Sequence, residues 1–448
     1  LILKSKKLAD LTGADCFVLA LSRMMKSQGQ NELIGQTQLE LDGVPDVVVL
    51  KQVARRFGEA HPLLDARVRR NIFTFVPSWV EGRGTNRFLD LTLWKEVGAS
   101  FPSEFPCQDV ASAHHLSEDL LNTSLERQSG VRNLRLDLVL LKAGGSILIF
   151  TWNHLLFDGK GAELLVSAFM EATKGGPTSK LTAIMEKPIS IMDQLIKSQA
   201  AKDRFFELLT KDYQSLSGSN PGGCRLRYKL LRFDSETTKK IQERVENLSG
   251  LFSISFYLAC AARAHRQAFL SRGCDPAQYV SSIPVQVRRK GASGNPFQNQ
   301  VTVLFFLLKR ESLDTMQSAV EAAQKQFEEM TRKGLGPSFE MILRLMRRLP
   351  SYFYFKFLGA QFSGRIASFF HSSTGAFSLD NATICGVGVR DARHVPAVSA
   401  PPGSGLFFSE SHGRLTAVFS WREGPVTEYE ADIVLHQLEA DLTGVDAK

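Results

Sequence analysis

Two runs of β-branched and large apolar residues, Leu134 to Lys142 and Ser146 to Trp152, flank Ala143-Gly144-Gly145, and this pattern constrains the chain more than any other. It reads as a β-hairpin. Directly after the second run comes a short loop holding Asp158-Gly159, then an apolar face at Leu164, Leu165, Ala168, Phe169 and Ala172. That spacing is helical. The segment Trp152-Asn153-His154-Leu155-Leu156-Phe157-Asp158-Gly159 therefore falls at a strand-to-helix junction, where loops on a rigid scaffold tend to carry chemistry.

The rest of the chain has the same mixed style. Before the hairpin, patterning predicts a helix over Cys16 to Lys26, a strand over Gly35 to Leu41 and a helix over Asp46 to Glu59. After it come helices over Ser235 to Glu246 and Ser253 to Phe269, and strands over Tyr279 to Val287 and Val301 to Leu308. A second hairpin, Leu406 to Ser411 with Arg414 to Trp421, leads to a final helix that opens on Thr427-Glu428-Tyr429-Glu430, a capping-box spacing. The fold class is α/β (α+β). Between Gly175-Gly176-Pro177 and Ser217 to Gly223 lies a stretch with a polar helix that reads as a connector. The expected division is a domain over 1–180, a connecting segment over 181–223 and a second domain over 224–448.

A length of 448 residues is enough for two or three domains at ~150 residues each. No uninterrupted apolar run approaches the ~20 residues of a membrane-spanning helix, and the N-terminus lacks the order of a secretory signal, so a cytoplasmic location is expected. Six cysteines (Cys16, Cys107, Cys224, Cys260, Cys274, Cys385) stand singly, with no metal-ligand spacing; free, mostly buried thiols are expected, and no metal. The net charge of +8 is modest and its signs are interleaved, and no nucleic-acid module accompanies it. A basic surface would instead suit the phosphates of coenzyme A, an acidic carrier protein or an anionic membrane. From Gly336 to Phe370, Arg344, Arg347, Arg348, Lys356 and Arg365 interleave with aromatic residues. That stretch has two readings: a peripheral membrane or acyl-chain surface, and an amphipathic helix pair with a Phe-rich core face. The pair His114-His115 reads as a solvated loop.

Taken alone, His154 has an ordinary reading as a core histidine, with Asp158 as the cap of the next helix. The segment nonetheless resembles the HHxxxDG motif of the coenzyme-A-dependent acyltransferase superfamily, which includes chloramphenicol acetyltransferase, condensation domains and wax-ester synthases. Further likeness lies in Leu11-Thr12-Gly13-Ala14-Asp15, His61-Pro62-Leu63-Leu64 with Arg67, Ile283-Pro284-Val285 with Arg288, Asn299-Gln300-Val301-Thr302 and Ser372-Ser373-Thr374-Gly375. Asn153 replaces the first histidine of the motif, and the Asp-Phe-Gly-Trp-Gly of the plant branch does not occur.

The resemblance implies two similar domains meeting in a V, with an inter-domain tunnel and His154 as the general base within it. Asp158, with Gly159 after it, would be structural and pair with Arg288, or failing that with Arg289; Asn153 would support the loop. Oxyanion or substrate contacts would fall to Ser372, Ser373 or Thr374, then to Thr302 or Asn299. No permanently bound cofactor is implied. The co-substrate would be acyl-CoA or an acyl-pantetheine carrier protein, and the acceptor a hydroxyl or an amine. The leading expectation is O-acyl transfer to an alcohol. Its rivals are amide formation on carrier-bound substrates and a catalytically silent member that binds acyl carriers or lipids.

Overall fold

A computed structural model describes residues 6–71, 74–82, 89–97, 112–125, 131–142, 144–176, 178, 180–217, 225–250, 252–288, 295–350, 352–354, 367–379 and 381–445. The first half supplies strands β1 (Lys7–Asp10), β2 (Ile34–Leu41), β3 (Arg67–Arg70), β4 (Pro77–Val80), β5 (Leu91–Val97), β6 (Leu134–Leu141) and β7 (Ser146–Asn153). Its helices are α1 (Gly13–Ser27), α2 (Val47–Ala60), α3 (Ser112–Leu121) and α4 (Gly159–Thr173). Two further helices, α5 (Ile191–Lys197) and α6 (Gln199–Leu209), lead into the second half. There the strands are β8 (Leu226–Arg232), β9 (Gln278–Gln286), β10 (Val301–Lys309), β11 (Phe369–Ala376), β12 (Thr383–Ile384), β13 (Val387–Val395), β14 (Ser404–Ser411) and β15 (Arg414–Arg422). The accompanying helices are α7 (Ser235–Ser249), α8 (Ser253–Ser271), α9 (Met316–Arg332), α10 (Leu335–Met346) and α11 (Glu428–Thr443).

Both predicted hairpins form, and each sits at the heart of a six-stranded sheet. One sheet has the order β12-β13-β2-β7-β6-β5 and the other β10-β9-β11-β14-β15-β8. Four strands of each repeat one pattern. In β2-β7-β6-β5 the pairings run antiparallel, antiparallel, parallel. In β8-β15-β14-β11 they run the same way. Each hairpin feeds a side-chain-capped helix, α4 from Asp158 and α11 from the capping box of Thr427 and Glu430. The two lobes are thus variations on one unit.

The division at 181–223 does not separate the sheets. Strand β13, from the second half, pairs antiparallel with β2 from Val389↔Leu41 to Val395↔Gln36, so the first lobe borrows its edge from residues 383–395. Nor is 181–223 a free connector. Ala201 and Leu208 of α6 belong to the second lobe's core, and the Ala201 N–H donates to Ser338 Oγ on α10 at 2.9 Å. Burying those apolar residues ties the segment to that lobe.

Each lobe has its own hydrophobic core, and a third cluster lies where the sheets face each other, with Ile34, Val139, Ile147 and Ile149 against Tyr228, Leu230 and Val418. One expectation is corrected here, and one of two readings is favoured. His114 is not in a solvated loop: Ala113, His114, Ser117, Leu120 and Leu121 recur at helical spacing and face inward on α3, with the His114 ring 4.3 Å from that of Tyr228. The stretch 336–370 begins as the amphipathic α10, which buries Phe339 and pairs Arg344 with Glu186 and Glu340; Lys356 and Arg365 lie outside the described residues. Cys16 and Cys260 are buried free thiols, Cys274 and Cys385 are half-buried, and Cys107 and Cys224 lie outside the described residues. Among the described residues, no single helix is long and apolar enough to cross a membrane.

Candidate active site

Strand β7 is central and buried, which suits the large apolar residues at five of its eight positions; it ends when the His154 N–H donates to Leu33 O at 3.0 Å. Asn153 then turns the chain. Its Oδ1 accepts from the Leu155 N–H at 3.0 Å, an Asx-type turn, and its Nδ2 donates to Asn133 Oδ1 at 3.0 Å. Asn133 in turn donates to the carbonyls of Leu63 and Ala66, which anchors the turn on the His61-Pro62-Leu63-Leu64 segment. Asn153 thus does a scaffold's work. Leu156 and Phe157 plug into the core with no exposure, so the loop is pinned from beneath.

Asp158 points away from the histidine. Its carboxylate takes Arg288 Nη1 on both oxygens, at 2.6 and 2.7 Å, the Gly161 N–H at 2.7 Å and the Gln300 N–H at 2.8 Å. Both side chains of the ion pair are 4% exposed. Arg288 Nη2 also reaches the carbonyls of Pro296 and Gln298 at 3.4 and 3.3 Å. Space is tight here: a Cβ on Gly161 would lie 2.3 Å from Pro296 O, and one on Gly159 would lie 3.2 Å from Thr374 Cγ2. Arg289 lies outside the described residues.

A clasp from the second lobe completes the loop. Gln298, held at a left-handed φ of 71°, donates its N–H to Leu156 O at 2.7 Å. Asn299 donates its N–H to Asp15 Oδ1 at 2.7 Å, and its Nδ2 reaches Asp15 Oδ1 and His154 O at 2.9 Å and Leu155 O at 3.2 Å. Burial raises the Asp15 carboxyl to about 6 against these donors. Asn299 is therefore not an oxyanion donor, because its amide hydrogens are already engaged. Thr302 is not one either; its hydroxyl donates to Gly336 O at 2.9 Å, tying β10 to α10. Asp15 stood in sequence only as the end of a family-like segment, without a role, and Gln298 was missed, since nothing local to either marks a role across the lobes.

His154 lines a cavity of about 460 Å³ between the lobes. Its walls are mainly apolar, with Phe17, Leu21, Trp152, Val303, Phe370 and Phe407 among them. His154 Nδ1 is enclosed and makes no hydrogen bond among the described residues, so Nε2 is the nitrogen left open to the cavity. Burial lowers the imidazole pKa from its ordinary 6.5, outweighing the opposing pull of its own carbonyl, Asp158 and Asn299. Ser372, Ser373 and Thr374 of β11 line the same cavity. Thr374 Oγ1 makes a long 3.5 Å contact with Phe408 O, and the Ser372 hydroxyl has no partner among the described residues. A second, more polar cavity of about 710 Å³ abuts the first across Ala14, Asn299, Val301 and Leu343, with Lys187, Glu340 and Arg344 in its wall. The two cavities share this wall between the lobes, where the tunnel was expected.

No protein-family model and no curated protein sequence matches the chain. Solved structures do. A trichothecene 15-O-acetyltransferase from Fusarium sporotrichioides superposes with a TM-score of 0.70 at 13% identity, over 97% of this chain and 95% of that one. The first condensation domain of the calcium-dependent antibiotic synthetase, in complex with a substrate analogue, gives 0.67 at 14% identity, over 99% and 98%. Polyketide synthase associated protein 5 from Mycobacterium tuberculosis gives 0.59 at 14% identity, over 99% and 100%. Identities this low speak to the fold alone. From end to end, the chain shares the two-lobed fold of these acetyltransferase and condensation-domain structures.

Proposed function

We propose that the chain transfers an acyl group from a thioester to an alcohol, with His154 Nε2 as the general base. The observation that carries this reading is the histidine's setting: Nδ1 enclosed, Nε2 open to an apolar cavity between the lobes, and the neighbouring carboxylate turned away onto Arg288. A neutral imidazole takes the hydroxyl proton as the alcohol oxygen attacks the thioester carbonyl. The tetrahedral intermediate then collapses; the C–S bond breaks, and the imidazolium returns the proton to the departing thiolate. Ser372 and Ser373 are the candidate donors for the oxyanion, because both line the cavity and neither hydroxyl has another partner among the described residues.

The acceptor is read as an alcohol because Asp158 is the one carboxylate among the described cavity-lining residues, and Arg288 already neutralises it. A charged amine would find no counter-ion there. In the polar cavity, where Glu186 and Glu340 already hold Arg344, Lys187 is the cation that would meet the phosphate of the donor's phosphopantetheine, whether on coenzyme A or a carrier protein. The test is release of free thiol from a panel of acyl-CoA and acyl-carrier donors, offered with alcohols and with amines. Release that depends on an alcohol supports the reading; release with amines alone supports amide synthesis, and none with either supports a silent binder.

A further inference from the structure

Helix α5 is amphipathic in the reverse sense. Its seven residues turn Gln194 inward, with the buried Ser198 one turn on, and turn Ile191, Met192, Leu195 and Ile196 outward. Gln194 Nε2 donates to Ile189 O at 2.8 Å, and α5 rests on the outside of α10, where Arg348 Nη1 reaches Gln194 Oε1 at 3.5 Å. Arg70 carries the surface on. Its Nη2 donates to Leu349 O at 3.1 Å and its Nη1 to Phe75 O, which brings Leu349 and Phe75 beside it. Phe75 holds a left-handed φ of 57°, rare for a bulky residue. All six apolar residues are between 41% and 65% exposed. Single exposed apolar residues are ordinary, but four in one seven-residue helix mark a surface that meets a partner or a membrane.

The charges around these residues decide between the two. Lys197 ends α5, Lys202 Nζ reaches Leu195 O at 3.4 Å, and Arg70 and Arg348 complete a border of four cations. None of the four is in an ion pair among the described residues. Asp193 is the one carboxylate on α5; on α6, Asp203 accepts from Gln199 and Glu207 is paired with Arg204. Neither cavity is lined by any of the six apolar residues, so the face offers no pocket for the anchoring side chain of a protein partner. An apolar ridge about 10 Å long with a basic border is instead suited to sink among lipid headgroups. We infer that this face docks on an anionic lipid bilayer, with α5 in the headgroup layer and Lys197, Lys202, Arg70 and Arg348 at the phosphates. Met185, Glu186, Lys187 and Ile189, just before α5, line the second cavity, so docking brings that cavity to the lipid surface. The inference stands apart from the acyl transfer proposed above.

Vesicle co-sedimentation tests it without turnover. The probes are phosphatidylcholine vesicles with and without phosphatidylglycerol, mixed with the wild type, with Met192→Glu/Ile196→Glu and with Lys197→Gln/Lys202→Gln. The wild type is expected to pellet with the anionic vesicles, and less so in high salt. The glutamate pair, at exposed positions, should keep the wild-type thermal transition and bind ~100-fold more weakly, the effect of withdrawing two apolar side chains from lipid. The glutamine pair should weaken binding to the anionic vesicles roughly 30-fold, and decides the matter if the glutamate pair does not fold. The inference is overturned if the wild type pellets with neither vesicle, or if either folded variant binds as the wild type does. A wild type that ignores vesicles but forms a dimer, or a complex with an acidic carrier protein, that the glutamate pair breaks assigns the face to that partner instead.

Discussion

His154 makes no side-chain hydrogen bond among the described residues, so removing its ring should cost chemistry and leave the fold nearly untouched. His154→Ala is expected to lower thioester turnover by ~10²–10⁴, the range of a positioned general base, with an unchanged thermal transition. Because burial lowers the imidazole pKa, the acid limb of kcat/KM should fall below pH 6.5, with the base mostly neutral at pH 7. A limb at or above 6.5 in a pH–rate profile would assign the base to another group. Asp158 should behave in the opposite way. Asp158→Asn or Arg288→Ala leaves one buried partner unmatched, which costs roughly 3–5 kcal/mol, measurable as a lower denaturation midpoint. An Asp158→Asn protein of normal stability, but with a shifted pH profile, would mean that the carboxylate acts on the histidine after all.

At the scale of elements, the site is a strand end held by a clasp from another lobe. Asn299→Ala should cost ~1–3 kcal/mol in stability, since the carbonyls of His154 and Leu155 and the Asp15 carboxylate lose a donor. It should also reduce kcat more than KM, because the loop that aims the imidazole loosens; an unchanged kcat would place the loop's rigidity elsewhere. What the sequence disclosed of this follows a physical line. The hairpin, the helix after it and the Asp158 cap are written locally, in apolar runs, a turn and a helical face, and all three form. Asn299 and Thr302 were sound choices by residue type. Their true partners, Asp15 and Gly336, lie 284 and 34 residues away, and no local pattern encodes such distances. Helix α3 was lost differently: His114 and Glu118 look like surface residues until Arg227 and Tyr228 arrive from the other lobe.

Over the whole molecule, the lobes are locked by charge as well as by apolar contact. Glu40 of β2 takes Arg393 Nη2 at 2.6 Å and Arg232 Nη1, from the other lobe's β8, at 3.2 Å; Arg232 also pairs with Asp391. Burial works to raise the Glu40 pKa, but Arg393 and Arg232 outweigh it and hold the group at about 2, below its ordinary 4.5. A depressed carboxyl stabilises the native state above its unfolded pKa and loses that contribution as pH falls. Acid denaturation should therefore remove about 3 kcal/mol between pH 4.5 and 2, and Glu40→Gln should flatten that stretch of the curve. An identical slope in the variant would exclude the lock. The boundary that sequence placed between the halves failed here, because β13 looks like any second-half strand and only its pairing reveals where it belongs. That pairing also has a consequence for biosynthesis. As the chain leaves the ribosome, β2 has β7 on one side by residue 153, while its other edge stays bare until residue 395 has emerged. While residues 154–395 are being made, the nascent protein carries an open edge strand, a template for the wrong neighbour. A chaperone or slow release would matter most in that interval, and residues 1–180 made alone would never leave it.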